Sequence, residues 1–400
     1  MTALLALDPL LVSGKIGWRE ILIIAIKVLV VFLVALHATI IVIWFERKAI
    51  AGLQNRVGPN KAGPYGLLQT LADGLKLILK EGFIPDRADP LVYRLAPYFS
   101  FVPAFLVWAL IPLGGDFSDG KGGVVHWFGR STRLQLVDAP MGILLLLVLS
   151  SIAVYGIMLA GWSSGSKYPL LGSVRATSQM VSYEAGLGLS LATVLLLAGT
   201  LSTSGIVGKQ DTFGDWNVLA TGVVPFVIFM ICATAELNRP PFDLVEAEQE
   251  LVGGYHTEYS SIRFALFFVA EFMNSVTMAA IIVTLFLGGP AGPALIGPGW
   301  LWGIIWFLLK TVLFLFLFVW IRGTVPRVRY DQLMDLGWKV LIPLSIGWLL
   351  VLATFHVARD QHWNGLVVVP IAAAIALTFF GLLRFAVATS KANRLEGVVD

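Results

Sequence analysis

The run from Glu236 to Glu258, ELNRPPFDLVEAEQELVGGYHTE, carries six carboxylates against one arginine, in a chain that is otherwise 57% hydrophobic and only 13% charged. It connects two apolar stretches on the side of the membrane where Lys and Arg should prevail. Pro240 and Pro241 end the preceding stretch or open a new helix at its first turn, where proline is tolerated. If a helix follows, Asp243, Glu246 and Glu250 fall on one face at spacings of three and four, and Glu248 points elsewhere. Two carboxylates about 6 Å apart at an effective dielectric of about 20 repel by roughly 2 to 3 kcal/mol, about two pKa units. Such a set shares protons and titrates as a coupled unit near neutrality. The competing reading is a solvated loop whose acids favour a helix N-terminus by a few tenths of a kcal/mol each. Phe242, Val252 and the flanking apolar stretches argue for partial burial.

Further ionisable groups lie inside the apolar stretches, where a charge costs several kcal/mol unless it is paired or faces a polar cavity. Glu271 sits in FFVAEFMNS, about two turns into one stretch, and Glu184 opens another in VSYEAGLG. A helix-edge Glu184 could instead reach the interface. Lys310 lies about 15 Å from the nearer end of its stretch at a rise of about 1.5 Å per residue, which is midplane and beyond easy snorkelling. His37 reads as a packing histidine and Lys27 as a lysine that reaches the outer surface.

Several chemistries are excluded. The single cysteine, Cys232, rules out a disulfide framework and an all-cysteine iron-sulfur site within this chain. The five histidines show no repeated helical spacing for bis-histidine haem ligation, and no cluster suggests a metal. There is no GxxxxGK[ST] loop, no strand-flanked GxGxxG and no nucleic-acid signature, so electrons or energy must come from a partner.

The elements that must position these groups are membrane spans. Apolar runs of about 20 residues, enough to cross a bilayer core, recur along the 400 residues. The fold class is all-α, a polytopic membrane protein with about nine transmembrane helices in one integral membrane domain, near residues 21–45, 95–113, 139–161, 182–201, 218–235, 264–288, 300–321, 338–357 and 365–387. The first span lacks the basic start and cleavage site of a signal peptide and is expected to stay as an anchor. Lys and Arg, including Arg47, Lys48, Arg56, Arg239, Arg322, Arg327 and Arg329, concentrate in alternate loops, placing the N-terminus outside and the C-terminus in the cytoplasm. The outer loops, GGDFSDGKGG among them, read as turn-rich connectors. Two inner loops stand out: residues 46–94, and the acidic loop, 236–262. In the first, Leu68, Leu71, Ala72, Leu75, Ile78 and Leu79 form one helical stripe opposite Gln69, Asp73, Lys76 and Lys80. Such a helix lies flat at the interface or packs on its own protein.

Three segments carry a resemblance. WFERKAIAGLQNRVGPNKAGPYGLLQTLADGLKLILKEG (Trp44 to Gly82), the acidic loop, and IRGTVPRVRYDQLMDLGWK (Ile321 to Lys339) resemble the inner loops of the H subunit of proton-pumping NADH:quinone oxidoreductase, respiratory complex I. The match covers the first eight spans in order, and LLKTVLF around Lys310 is similar to the family's seventh span. Residues 358–400, an additional helix and tail, extend beyond that pattern.

The resemblance implies a subunit that anchors a peripheral arm and forms much of a quinone tunnel. Quinone is the substrate, nothing is bound covalently, and flavin and iron-sulfur clusters belong to partner subunits. It places Glu46, Arg47, Asp73, Arg239 and Phe242 along the quinone passage, and Glu184, Glu236, Asp243, Glu246, Glu248, Glu250, Glu271 and Lys310 on a proton route. Implied partners are the peripheral iron-sulfur and quinone-site subunits, small and antiporter-like membrane subunits, and lipid; the additional C-terminal segment points to a bacterial plasma membrane. Two alternatives stay open on the residues alone: a stand-alone ion-coupled transporter, against which no internal repeat is visible, and the homologous anchor of a membrane-bound hydrogenase or related quinone reductase.

Overall fold

The computed structural model describes residues 8–12, 17–117, 122–127, 129–244, 252–294, 297–363 and 365–396. Glu246, Glu248 and Glu250 lie outside the described residues. Ten principal helices follow in chain order: α1 Trp18–Leu53, α2 Gln69–Leu79, α3 Pro90–Leu106, α4 Gly142–Ser163, α5 Lys167–Ala198, α6 Val223–Glu236, α7 Ser261–Phe286, α8 Gly299–Thr324, α9 Tyr330–Asp360 and α10 Gly365–Glu396. Seven are long and apolar enough to cross a membrane; the apolar helices at α6 and α10 are shorter by that measure and take the positions of the fifth and ninth expected spans. The protein is therefore an all-α polytopic membrane protein, and α2 lies in the long first inner loop.

Local chemistry sets the helix ends. Asp89 caps α3, accepting from the backbone N–H of Leu91 at 3.0 Å and Val92 at 3.3 Å, with Pro90 at the first helical position. Gly199 ends α5 in the left-handed region, its N–H bonding the Leu195 carbonyl at 2.8 Å. Small residues let the helices approach. A Cβ on Gly156 of α4 would fall 2.2 Å from Ser100 Oγ and 3.0 Å from the Ala96 carbonyl of α3. The central column is α7, with 72% of its apolar window buried against neighbours on several sides.

Three expectations need correction. Glu184 does not open its helix: α5 begins at Lys167, so the carboxylate lies near the middle of a 32-residue helix. Polar residues in the segment before Ser182 hid this extension. Lys27 reaches toward the outer loops but does not end in water; it is buried, ion-paired with Asp8 and 3.2 Å from Thr132 Oγ1. And the loop beyond GGDFSDGKGG is more than a connector, because Val124–Trp127 (β1) and Arg130–Arg133 (β2) pair antiparallel, Val124 opposite Arg133.

Candidate functional site

The acidic loop begins at the end of α6 and folds inward as far as Leu244, whereas Val252, expected to be partly buried, is exposed. Leu237, Arg239, Phe242, Asp243 and Leu244 are all buried. Gln179 of α5 closes this turn, its Nε2 donating to the carbonyls of Ala235 at 2.8 Å and Phe242 at 2.9 Å. The Val328 N–H, from the next inner loop, donates to the Pro241 carbonyl at 3.1 Å. On the far side of residues 245–251, Tyr259 stacks on Tyr93 of α3 with centroids 4.1 Å apart, and Ser260 Oγ donates to the Glu81 carbonyl of the first inner loop at 3.0 Å. Asp243 and Leu244 are not helical. The expected shared helical face of Asp243, Glu246 and Glu250 is thus not met at its first member, and the other two lie outside the described residues.

Folding inward brings Arg239 between two helices. Its guanidinium stands 3.2 Å from Glu46 Oε1 of α1 and 3.0 Å from Glu271 Oε1 of α7, and rests 4.2 Å above the Phe272 ring. Glu46 also pairs with Arg322 of α8, and Asp243 with Arg327 at 2.8 Å. Glu271, Arg239, Glu46 and Arg322 thus alternate in one chain of charges, with Asp243 and Arg327 as a further pair. Such groups are held in a low-dielectric end of a bundle only by mutual pairing. Arg47 and Asp73 form a separate pair joining α1 to α2, and Gln69 Nε2 donates to Asp73 at 3.1 Å. The opposite face of α2 is uncovered: Leu68, Leu71, Leu75, Ile78 and Leu79 are all exposed. That observation favours the interfacial reading of this helix over packing on its own protein.

Glu236 is buried, and its Oε2 has no hydrogen-bond partner among the described residues. It lines two cavities of about 30 Å³ each. One is shared with Asn238, Tyr255, Glu271 and Asn274, the other with Ser150, Asn274 and Thr277. Each has space for a water, and each offers that water polar partners. Glu184 acts electrostatically on Glu236 and accepts a short hydrogen bond from Ser151. Glu271, Glu236 and Glu184 therefore form a stepped series across α7, α6 and α5. Beyond Glu236, His256 sits in the loop before α7; burial pushes its pKa below the ordinary 6.5, and the Glu271 charge opposes that shift.

Phe242 packs on Tyr183, ring centroids 5.8 Å apart, and the Tyr183 hydroxyl donates to the Leu333 carbonyl at 2.8 Å, next to a π-helical stretch in α9, Leu336–Leu341. Lys310 stands apart. Its ammonium donates to the carbonyls of Leu287 at 2.7 Å, Gly289 at 3.0 Å and Ala291 at 2.8 Å, at the other end of α7. Leu287 is sixteen positions beyond Glu271, about 24 Å along a helix axis. The structure thus gathers Glu46, Arg239, Asp243, Glu236, Glu271 and Phe242 around the inward turn, sets Arg47 and Asp73 beside them and Glu184 a step further along α5, and leaves Lys310 apart, midway along α8 at the far end of α7.

Sequence reading treated Arg322 and Arg327 as topology-setting charges and passed over Gln179, Tyr183, Asn274 and the Ser150–Ser151 pair. Neutral polar residues in an apolar run carry no spacing signal. The two arginines lie within a segment already singled out, Ile321 to Lys339.

Fold and site together define a polytopic, all-α integral membrane protein with a charge network buried at one end of its bundle. Sequence comparison narrows this further. The profile of the family described as NADH dehydrogenase matches residues 26–353. The H subunit of NADH-quinone oxidoreductase from Frankia alni is 54% identical over 344 residues, covering 84% of this chain and 74% of the relative. The protein of that name from Frankia casuarinae is 53% identical with the same coverage, and that from Streptomyces avermitilis 45% identical over 370 residues, covering 91% and 79%. The chain belongs to the family of NADH-quinone oxidoreductase H subunits.

Proposed function

We propose that this chain forms the membrane part of the quinone passage in its complex and couples quinone reduction to proton translocation through its carboxylates. The observation that carries the reading is Arg239, a buried cation shared between Glu46 on α1 and Glu271 on α7. Quinone reduction consumes two electrons and two protons, so it changes charge and draws protons at the site where it occurs. A shared guanidinium responds to such a change. Protonation of either carboxylate weakens one of its two ion pairs and strengthens its hold on the other.

Quinone is the substrate, and a lipid-soluble substrate enters from the membrane plane. The exposed apolar face of α2 and the Arg47–Asp73 pair behind it supply an apolar threshold with a polar stop. Glu46, Arg239 and Phe242 stand further in. Electrons arrive from partner subunits, which hold the flavin and iron-sulfur clusters; the lone Cys232 is buried within α6 and cannot build a cluster. Protons pass from Glu271 by a water in the first cavity to Glu236 and on to Glu184, toward small and antiporter-like membrane subunits. Glu246, Glu248 and Glu250 feed that series from the acidic loop. By the positive-inside rule this end faces the cytoplasm of a bacterial plasma membrane, with the N-terminus outside.

The decisive variant is Glu271→Gln in the assembled complex. NADH oxidation by an artificial acceptor that takes electrons ahead of quinone should persist, while proton translocation per quinone reduced should fall. Unchanged translocation removes Glu271 from the route.

A further inference from the structure

The end of the bundle opposite the acidic loop is closed by a set of polar groups with no part in the proposed proton series. The last carbonyls of α7 and the turn after it are taken one by one. Thr284 accepts from Gln210 Nε2 at 3.2 Å and Leu285 from Asn217 Nδ2 at 2.7 Å; Leu287, Gly289 and Ala291 accept from Lys310. Gln210 Oε1 in turn accepts from the backbone N–H of Asn217 at 3.0 Å and Gly288 at 3.1 Å. The Trp216 ring lies 4.7 Å from the ammonium. Gln210, Asn217, Thr221 and Lys310 are all buried. The closure is a buried, hydrogen-bonded plug built around the Lys310 ammonium.

Three carbonyl oxygens stand around that ammonium, at the helix C-terminus, where the partial negative charge favours a cation. Its neighbours are backbone dipoles, which cannot take a proton from it. A proton leaving the carboxylate series along α7 would have to pass through this plug against like charge in a low-dielectric region. Some pores exclude protons with a fixed cation at a constriction.

We infer that Lys310 is the fixed charge of a proton seal, which blocks exit through the far end of this chain and leaves the route into neighbouring subunits as the only one open to protons from Glu271 and Glu236. The inference rests on the proposed carboxylate route for its meaning, but the seal can be measured without turnover. The test uses the intact complex in sealed proteoliposomes with a trapped pH-sensitive dye. An imposed pH gradient should collapse several times faster with Lys310→Gln, which keeps hydrogen-bond donors and loses the charge, than with wild type, and Lys310→Arg should stay tight. During turnover K310Q should accumulate fewer protons per quinone reduced than K310R.

A gradient held equally well by K310Q and wild type overturns the seal. So does joint loss of quinone reduction and pumping in an assembled K310Q that K310R does not restore. Should K310Q fail to assemble, Lys310→His offers a charge that can be titrated after assembly, and its leak should rise as pH is raised through about 6.5. A flat leak across that range overturns the proposal. Glu271→Gln in the same vesicles separates the two readings: pumping unchanged by E271Q sinks the carboxylate route and leaves the leak result standing.

Discussion

Arg239 and Glu46 are 193 positions apart in the chain, yet the guanidinium of one meets the carboxylate of the other at 3.2 Å in a buried setting. The inward turn after α6 makes the meeting possible, and Glu271 completes it from α7. An arginine that would satisfy a topology rule from any exposed loop is here a structural tie across three segments. Its removal leaves the buried Glu46 and the half-buried Glu271 without their common partner.

Arg239→Gln should therefore destabilise the protein by about 3 to 5 kcal/mol, the usual cost of breaking a buried ion pair from one side. The thermal inactivation midpoint of the purified complex should fall, and quinone reduction should be lost with it. Adding Glu46→Gln should recover part of the midpoint, since it removes one of the stranded charges. Additive losses in the double variant would refute the coupling.

Glu236 borders both water-sized cavities, and its Oε2 has no partner among the described residues. Glu236→Gln keeps the volume and removes the proton carrier. Protons translocated per electron should drop while the midpoint stays near wild type. Glu236→Leu should give the same functional loss, because a leucine cannot hold the bridging water. Full translocation by either variant would show that protons go elsewhere.

The pH dependence of stability should carry a signature of His256. Its folded pKa lies below the ordinary 6.5, with burial as the larger cause. Between the two values the unfolded chain binds more protons than the folded one, so stability rises with pH there. The contribution is complete above about 6.5, declines as pH falls below it toward the depressed folded value, and is flat beneath that. His256→Asn should flatten this part of the midpoint-against-pH curve. An unaltered slope between pH 5 and about 6.5 would assign it to other groups.

Gly156→Ala should cost about 1 to 3 kcal/mol through overpacking, because a methyl there lands 2.2 Å from Ser100 Oγ and 2.7 Å from the Ser100 nitrogen. Ser100→Gly should relieve only part of it, as the backbone contacts remain. The midpoint of the single and double variants decides the matter, and a neutral G156A would mean that α3 and α4 separate at no cost.

Much of this protein was legible in its residues, and the reason is that lipid is a demanding solvent. Runs long enough to cross a bilayer must be helices, since no water is present to satisfy an open backbone. Span order, the amphipathic stripe from Leu68 to Leu79 and the unusual acidity of Glu236 to Glu258 follow from composition and period alone. Glu271 stood out because a charge in an apolar run needs a reason. Where polar residues extended a helix past its apolar core, as in Lys167 to Val181 before Glu184, hydropathy marked the wrong boundary.

Partners were another matter. Nothing in the spacing of Arg239 says whether it faces water, Glu46 or Glu271, and nothing around Lys310 names three carbonyls nineteen to twenty-three positions away. Pairing across helices is decided by which faces pack together, and that depends on small residues such as Gly156 and on turns such as the one Gln179 closes. The linear chain determined which charges would have to be neutralised inside the membrane; only the packed bundle decided by whom, because a contact ion pair needs its groups within a few ångströms and those distances exist only after the helices have met.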